Sequence, residues 1–355
     1  MMSADRIVPG AAGPAASPTR SDPRALSTGT ALRLAAIDIG TVSTRLLCAT
    51  VEHGELQQDI KQTVITDLGA GVDATGRFAA DAVARVLDAC AQFRAKIAAH
   101  RSVRVCTTLT SAARDAANGD TLLDGLRKLG LCPQVIAGTT EARLTFYGVA
   151  HDFADERIAV ADLGGGSTEL TVGSAALTAH ASVELERVAS LDIGCRRATE
   201  RFFSTIPPRP DELAAMMAWA RELYEPYWRG LERRPDRLVA VGGTVTTLVA
   251  LVHELAAYDS SFVHLRELPL DQVEACMQRM RTLDVASIAA LPGVQAKRAG
   301  VLLAGAAALY ELMRSGGYDR LTVSENSLLA GAIATMSEAL DAGTTAIGWV
   351  PELSS

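Results

Sequence analysis

Two nine-residue stretches carry most of the chemistry legible in this chain. Asp38-Ile39-Gly40-Thr41-Val42-Ser43-Thr44-Arg45-Leu46 recurs as Asp162-Leu163-Gly164-Gly165-Gly166-Ser167-Thr168-Glu169-Leu170. Both follow the pattern D-[IL]-G-x-x-S-T-x-L, with the acid closing a short apolar run. A glycine-rich turn of this kind aims several backbone N–H groups at one point, where they bind phosphate oxygens. Thr41, Ser43, Ser167 and Thr168 add hydroxyl donors. Asp38, Asp162 and Glu169 supply hard oxygen ligands suited to Mg²⁺, directly or through water. Either turn alone is also an ordinary β-hairpin; two matching copies with acids at the strand ends favour phosphate. A third element, Val239-Ala240-Val241-Gly242-Gly243-Thr244, joins a strand to a helix through a glycine pair and offers a helix N-terminus to a phosphate or nucleoside.

Two further segments contribute charge. Thr110-Ser111-Ala112-Ala113-Arg114 begins with helix-capping hydroxyls and places Arg114 in an early turn. Gly138-Thr139-Thr140-Glu141 opens another helix with Glu141 in its first turn, where the helix dipole keeps a carboxylate ionised at neutral pH. Both have a bland alternative, a surface arginine and a dipole-complementing acid. Arg196, Arg197 and Arg201, and Lys297 with Arg298, are candidate basic patches for a polyanion, each also readable as solvated surface.

The elements that must hold these groups alternate. Strands are expected at residues 34–39, 44–51, 103–107, 134–137, 158–163, 169–172, 238–241 and 321–324. Residues 82–98 repeat Val83, Val86, Leu87, Cys90, Phe93 and Ile97 at helical spacing. Further helices are expected from Ser111, Thr140 and Thr244, over residues 295–314 as one long helix, and after the last strand. This is an α/β chain with mixed sheets. The two motif copies lie 124 residues apart, from 38 to 162. That offset is domain-sized and too long for a solenoid repeat. It predicts a duplicated domain whose copies aim equivalent turns at one cleft. Residues 1–30 are expected to be a disordered tail, 31–150 and 151–340 the two domains, and 341–355 a loose end.

Composition narrows the classes. The 355 residues suit two domains, and 48% hydrophobic residues exclude a mainly disordered chain. No apolar run reaches the length of a membrane span. The net charge of −7 argues against a nucleic-acid coat. The six cysteines match no zinc or disulfide framework and suit core positions in a reduced, cytoplasmic protein. A P-loop, a complete dinucleotide fingerprint and a G-x-S-x-G elbow are all missing.

In order, D-I-G-x-x-S-T-R-L, T-S-A-A-R-D-A-A-N, A-G-T-T-E-A-R-L, D-L-G-G-G-S-T-E-L and L-D-I-G-C-R-R-x-T-E-R-F resemble the exopolyphosphatase and guanosine pentaphosphate phosphatase family (Ppx/GppA). The resemblance runs over residues 32–336. It implies two ribonuclease-H-like domains of the actin and sugar-kinase superfamily with an interdomain active site, in the short form without a C-terminal helical domain. It implies Glu141 as the catalytic glutamate that positions and deprotonates water. Asp162 and Glu169 then fall on metal-binding acids, with Asp38 contributing to the Mg²⁺ site. Gly164, Gly165, Gly166, Ser167 and Thr168 face Asp38, Gly40, Thr41 and Ser43 across the substrate phosphates. Arg114, Gly242, Gly243 and Arg298 complete the substrate-binding set.

The chain departs from the family pattern at Val42, Asp67, Gly300 and Leu329. The implied activity is Mg²⁺-dependent release of orthophosphate from the end of inorganic polyphosphate. Alternatives are a phosphatase of guanosine pentaphosphate, a polyphosphate-binding regulatory homologue with little turnover, and a small-molecule kinase of the same superfamily. A homodimer is expected by family analogy, and neither a nucleic acid nor a membrane is an expected partner.

Overall fold

The computed structural model describes residues 31–177 and 181–355; the expected N-terminal tail lies outside them. Its sheets repeat one plan twice. In the first half, β1 (Leu32–Ile39), β2 (Ser43–Glu52) and β3 (Glu55–Ile65) form an antiparallel meander. The chain then crosses over to β4 (Arg104–Leu109), parallel to β1, and β5 (Pro133–Val135), parallel to β4. In the second half, β6 (Ile158–Leu163), β7 (Thr168–Ala176) and β8 (Ser182–Leu191) form the same meander. There β9 (Arg237–Val241) runs parallel to β6, with β10 (Glu267–Pro269) and β11 (Arg320–Val323) beyond it. The duplication expected from the motif offset is therefore a duplication of sheet topology.

Burial follows position in the sheet. The central strands β1 and β6 are apolar runs buried on both faces, as strands covered on both sides must be. The edge strand β3 carries Gln57, Gln58, Asp59, Lys61 and Gln62 and alternates in exposure. The helix Ala80–His100 covers one face of the first sheet with Val83, Val86, Cys90, Phe93 and Ile97. The second sheet packs on Ala299–Gly316, an alanine-rich helix whose close approach to its neighbours follows from its small side chains.

Three expectations need correction. The long helix begins as a separate 3₁₀ turn, Ala296–Arg298, before continuing as Ala299–Gly316. The last helix, Leu328–Ala342, follows the second sheet in sequence but packs on the first, where Leu329, Ile333 and Met336 meet Leu34, Ala36 and Leu47. Residues 341–355 are not loose. Ile347 is buried, Trp349 packs against the same cluster, and β12 (Leu353–Ser354) pairs with Cys106 and Val105 of β4. Their glycine- and threonine-rich composition hid an edge of β4 that β5 leaves free.

The last helix crosses Gly138–Ala150 backbone against backbone. A Cβ at Gly331 would lie 1.9 Å from the Leu144 carbonyl oxygen, and one at Gly148 2.3 Å from that of Ser327. Gly331→Ala is expected to lower Tm by roughly 3–10 °C, since overpacking costs about 1–3 kcal/mol. Thermal unfolding followed by circular dichroism checks it.

Candidate active site

The two glycine turns meet tip to tip. Each is closed by the same bond: Gly40 N–H donates to Ser43 O at 2.9 Å, and Gly164 N–H to Ser167 O at 3.0 Å. A Cβ on Gly165 would fall 2.6 Å from Val42 Cγ2 and 2.8 Å from Thr41 Cβ; one on Gly166 would fall 2.5 Å from Ser111 Oγ. Only glycine permits this approach. The carbonyls of Gly164 and Gly165 accept from the amides of Cys195, Arg196 and Arg197, so the helix Cys195–Phe202 fixes the second turn from behind.

A cleft at this junction is lined by Asp38, Gly40, Thr41, Val42, Ser43, Arg45, Thr110, Ser111, Glu141, Asp162, the turn 164–167, Cys195, Gly242, Gly243, Thr244 and Arg298. Two expected phosphate ligands are missing from that lining: Arg114, which is instead bound to Glu141 of the cleft wall, and Thr168. The Thr168 hydroxyl turns into the core and donates to Ile193 O at 2.6 Å. Its counterpart Thr44 also turns inward and shares a hydrogen bond with Thr66 Oγ1 at 2.9 Å. The second hydroxyl of each motif thus braces the hairpin rather than facing the cleft. Thr110 was expected as a helix cap; its side chain caps nothing and lines the cleft instead.

The strand register places the charges. Asp38 lies opposite Arg45 in the first hairpin, and Asp162 opposite Glu169 in the second. Arg45 grips Asp38 Oδ2 through Nη2 at 2.6 Å and Nε at 2.9 Å. The second copy has two acids where the first has an ion pair. Asp162 is pushed up from the usual carboxylate range by burial and by the Asp38 charge, against the pull of Arg45. Glu169 is pushed well up, first by burial and then by Glu141 and Asp162. Its Oε1 accepts from Ser190 Oγ at 2.7 Å and stands 3.9 Å from Arg114 Nη2. Arg45 escaped the sequence analysis; the signal was its alignment with Glu169 in the repeat.

Glu141 is 8% exposed. Arg114 Nη1 donates to its Oε2 at 2.8 Å and to Ile136 O at 3.0 Å. Burial raises the Glu141 carboxyl to about 7, opposed by Arg114 and reinforced by Asp38 and Asp162. The expectation that the helix dipole keeps it ionised at neutral pH is therefore corrected. Desolvation among like charges outweighs a dipole term of under about 1 kcal/mol.

Gly242 has φ +108°, and a Cβ there would meet Leu163 O at 2.6 Å. Gly243 carries the Arg298 guanidinium directly above it, with Nη1 2.0 Å from where a Cβ would be. Arg298 lines the cleft without an acidic partner within 4 Å among the described residues, although Gln295 Oε1 accepts from its Nε at 3.3 Å. In the other expected basic patch, two of the three arginines are neutralised. Arg196 pairs with Asp67, and Arg197 pairs with Asp73 and Asp115 and donates to Gly166 O at 2.7 Å. Arg201 lies over the Trp219 ring at 5.1 Å.

The acids do not form a ready-made cage: among the described residues no three His, Cys, Asp or Glu side chains converge as a metal site. Asp38 and Asp162 nevertheless fit a hydrated divalent cation. Asp38 Oδ1 is buried without a hydrogen-bond partner, and its charge bears on Asp162. A cation there would satisfy the one and relieve the other, with water and phosphate as its remaining ligands.

Two α/β halves of matching topology, with glycine turns meeting at their junction, define a protein of the actin and sugar-kinase fold type. The model of the Ppx/GppA phosphatase family matches residues 47–339, and the chain belongs to that family, whose members hydrolyse phosphoanhydrides. It is 39% identical to exopolyphosphatase 2 of Mycobacterium tuberculosis over 317 residues, 84% of this chain and 97% of the relative. It is 30% identical to exopolyphosphatase 1 of Mycobacterium leprae, over 85% and 88% of the two chains. Among solved structures, the Aquifex aeolicus family member superposes with a TM-score of 0.72 at 30% identity, over 88% of this chain and 98% of that one. An exopolyphosphatase from Cytophaga hutchinsonii superposes with a TM-score of 0.77 at 25% identity, over 89% and 100%. No described helix is long and apolar enough to cross a membrane.

Proposed function

We propose that this protein is an exopolyphosphatase that hydrolyses the terminal phosphoanhydride of inorganic polyphosphate and releases orthophosphate. The observation that carries the reading is Glu141, a buried carboxyl raised to about 7, bound to Arg114 beside two converging phosphate turns. A base with that value is matched to proton transfer at neutral pH. Glu141 accepts a proton from water as the water oxygen bonds to the terminal phosphorus. The bridging P–O bond breaks, and its electron pair leaves on the shortened chain. The turn amides, Ser43, Ser167 and Arg114 hold the terminal phosphoryl oxygens, and Arg298 holds charge further along the chain. Positioning and neutralisation of this kind supply most of phosphoryl-transfer catalysis. Asp38 and Asp162 would hold Mg²⁺, which when bound offsets the phosphate charge and stabilises the leaving oxygen. Glu169, expected as a metal ligand, is not among the residues lining the cleft and stands 3.9 Å from Arg114, so it acts through that arginine rather than as a direct ligand.

Phosphate release from long-chain polyphosphate and from guanosine pentaphosphate, with and without chelator, tests this. The expected result is faster release from polyphosphate, lost on chelation and restored by Mg²⁺. Preference for the nucleotide reassigns the substrate. Tight polyphosphate binding without phosphate release makes the protein a regulatory binder.

A further inference from the structure

The two mouths of the cleft differ in charge. On the side of the helix Cys195–Phe202, Arg196 and Arg197 are already held by Asp67, Asp73 and Asp115 of the first half. Of the cations among the described residues of that helix, only Arg201 is without an acidic partner, and its guanidinium lies over the Trp219 ring. Beyond Arg298, the halves are joined differently. Lys61 of β3 donates through Nζ to Glu325 Oε2 at 2.6 Å and to Glu325 O at 2.7 Å. Glu325 is its one acidic partner among the described residues. Glu325 follows β11, whose Val323 pairs with Ala240, so it stands at the same strand end as Gly242 and Gly243. Its Oε1 accepts from Tyr258 OH. Tyr258 in turn faces Thr246, in the helix opened by Gly243, and feels the Arg298 charge. Polar groups thus run from Arg298 through Tyr258 to Lys61. The loop carrying Glu325 is anchored independently: Asn326 Nδ2 donates to both Asp152 oxygens at 3.0 and 2.9 Å, and Glu325 N–H donates to His264 Nδ1 at 3.2 Å. The carboxylate can therefore swing away without the loop moving.

We propose that Lys61 is an outer subsite for a substrate phosphate beyond Arg298, and that Glu325 is a built-in competitor which such a phosphate displaces. The proposal rests on the phosphatase reading and adds chain-length preference to it. A long polyanion reaches Lys61 and replaces one carboxylate with a chain of charges. A short one ends inside the cleft and leaves the Lys61–Glu325 bridge closed. Phosphates compete for an exposed lysine best when they are already tethered nearby, which raises their effective concentration.

The test compares KM for tripolyphosphate and for long-chain polyphosphate in the wild type, Lys61→Gln and Glu325→Gln. Lys61→Gln is expected to raise the long-chain KM roughly three- to tenfold more than the tripolyphosphate KM, the discounted value of one charged contact. Glu325→Gln is expected to lower the long-chain KM. Equal effects on both substrates, or a higher long-chain KM in Glu325→Gln, would overturn the proposal, because a merely structural bridge behaves that way. If the wild type releases phosphate from neither substrate, the phosphatase reading fails instead. Long-chain binding to the wild type and Lys61→Gln, measured by calorimetry, then decides the subsite alone: weaker binding by the variant supports it and equal binding refutes it.

Discussion

Glu141→Gln is expected to lower kcat for phosphate release by roughly 10²–10⁴-fold, the usual contribution of a positioned base, with KM within about threefold of the wild type. The amide keeps the shape and still accepts the Arg114 hydrogen bond found at 2.8 Å. What it loses is the capacity to take a proton. The same substitution is expected to stabilise the protein above neutrality. A carboxyl held at about 7 when folded, against an ordinary 4.5, keeps its proton in the fold while the unfolded chain releases it. Stability therefore falls as pH rises from about 4.5 to 7, and the full penalty applies above that range. A neutral amide escapes this penalty, whose ceiling is on the order of 3 kcal/mol. The Tm gap between variant and wild type should be near zero at pH 4.5 and widen to several degrees by pH 8. A constant gap would mean that the burial of Glu141 does not govern its ionisation.

Arg114→Met is expected to reduce kcat/KM by roughly 10²-fold or more at neutral pH, comparable to losing a positioned charged donor in a closed site. Arg114 is the cation within ion-pair distance of both Glu141 and Glu169. Without it, two buried carboxyls repel across a site that has lost its counter-charge. Glu141 is then pushed further up and stays protonated at neutral pH, so part of the activity should return in alkaline buffer. Arg114→Lys restores the charge but not the fork that reaches Glu141, Ile136 O and Ser167 together. It should recover the pH profile more fully than the rate. An acid limb in Arg114→Met identical to that of the wild type would remove Arg114 from control of Glu141.

The twin hairpins were legible in the sequence because a repeated local pattern fixes a local turn. Strand, acid, glycine and hydroxyl all sit within nine residues, and the register of β1 with β2 and of β6 with β7 follows from them. Glu141 was legible through its motif, but its ionisation was not. That depends on Asp38, Asp162 and Arg114, which come from other strands and helices. The same reason explains Arg196 and Arg197. Three nearby arginines suggest a free basic patch until Asp67, Asp73 and Asp115 arrive from across the junction and pair two of them. Thr168 shows the limit within a motif: the side chain before Glu169 faces the opposite side of β7, toward Ile193 and Tyr224, as strand alternation requires. The return of the last helix and β12 to the first sheet was hidden for a topological reason. Sequence order assigned the helix to the second domain and left residues 341–355 as a loose end, while the free edge of β4 and the Gly148–Gly331 contact exist only in the fold.

The most direct test of the account is the pH dependence of kcat/KM for phosphate release from long-chain polyphosphate, measured in parallel for the wild type and Glu141→Gln. The wild type is predicted to lose activity tenfold per pH unit below an apparent pKa near 7 and to level off above it, while the residual activity of the variant lacks that limb. A wild-type profile that is flat through neutrality, or a variant that keeps the same limb, would contradict Glu141 as the base at the chain end.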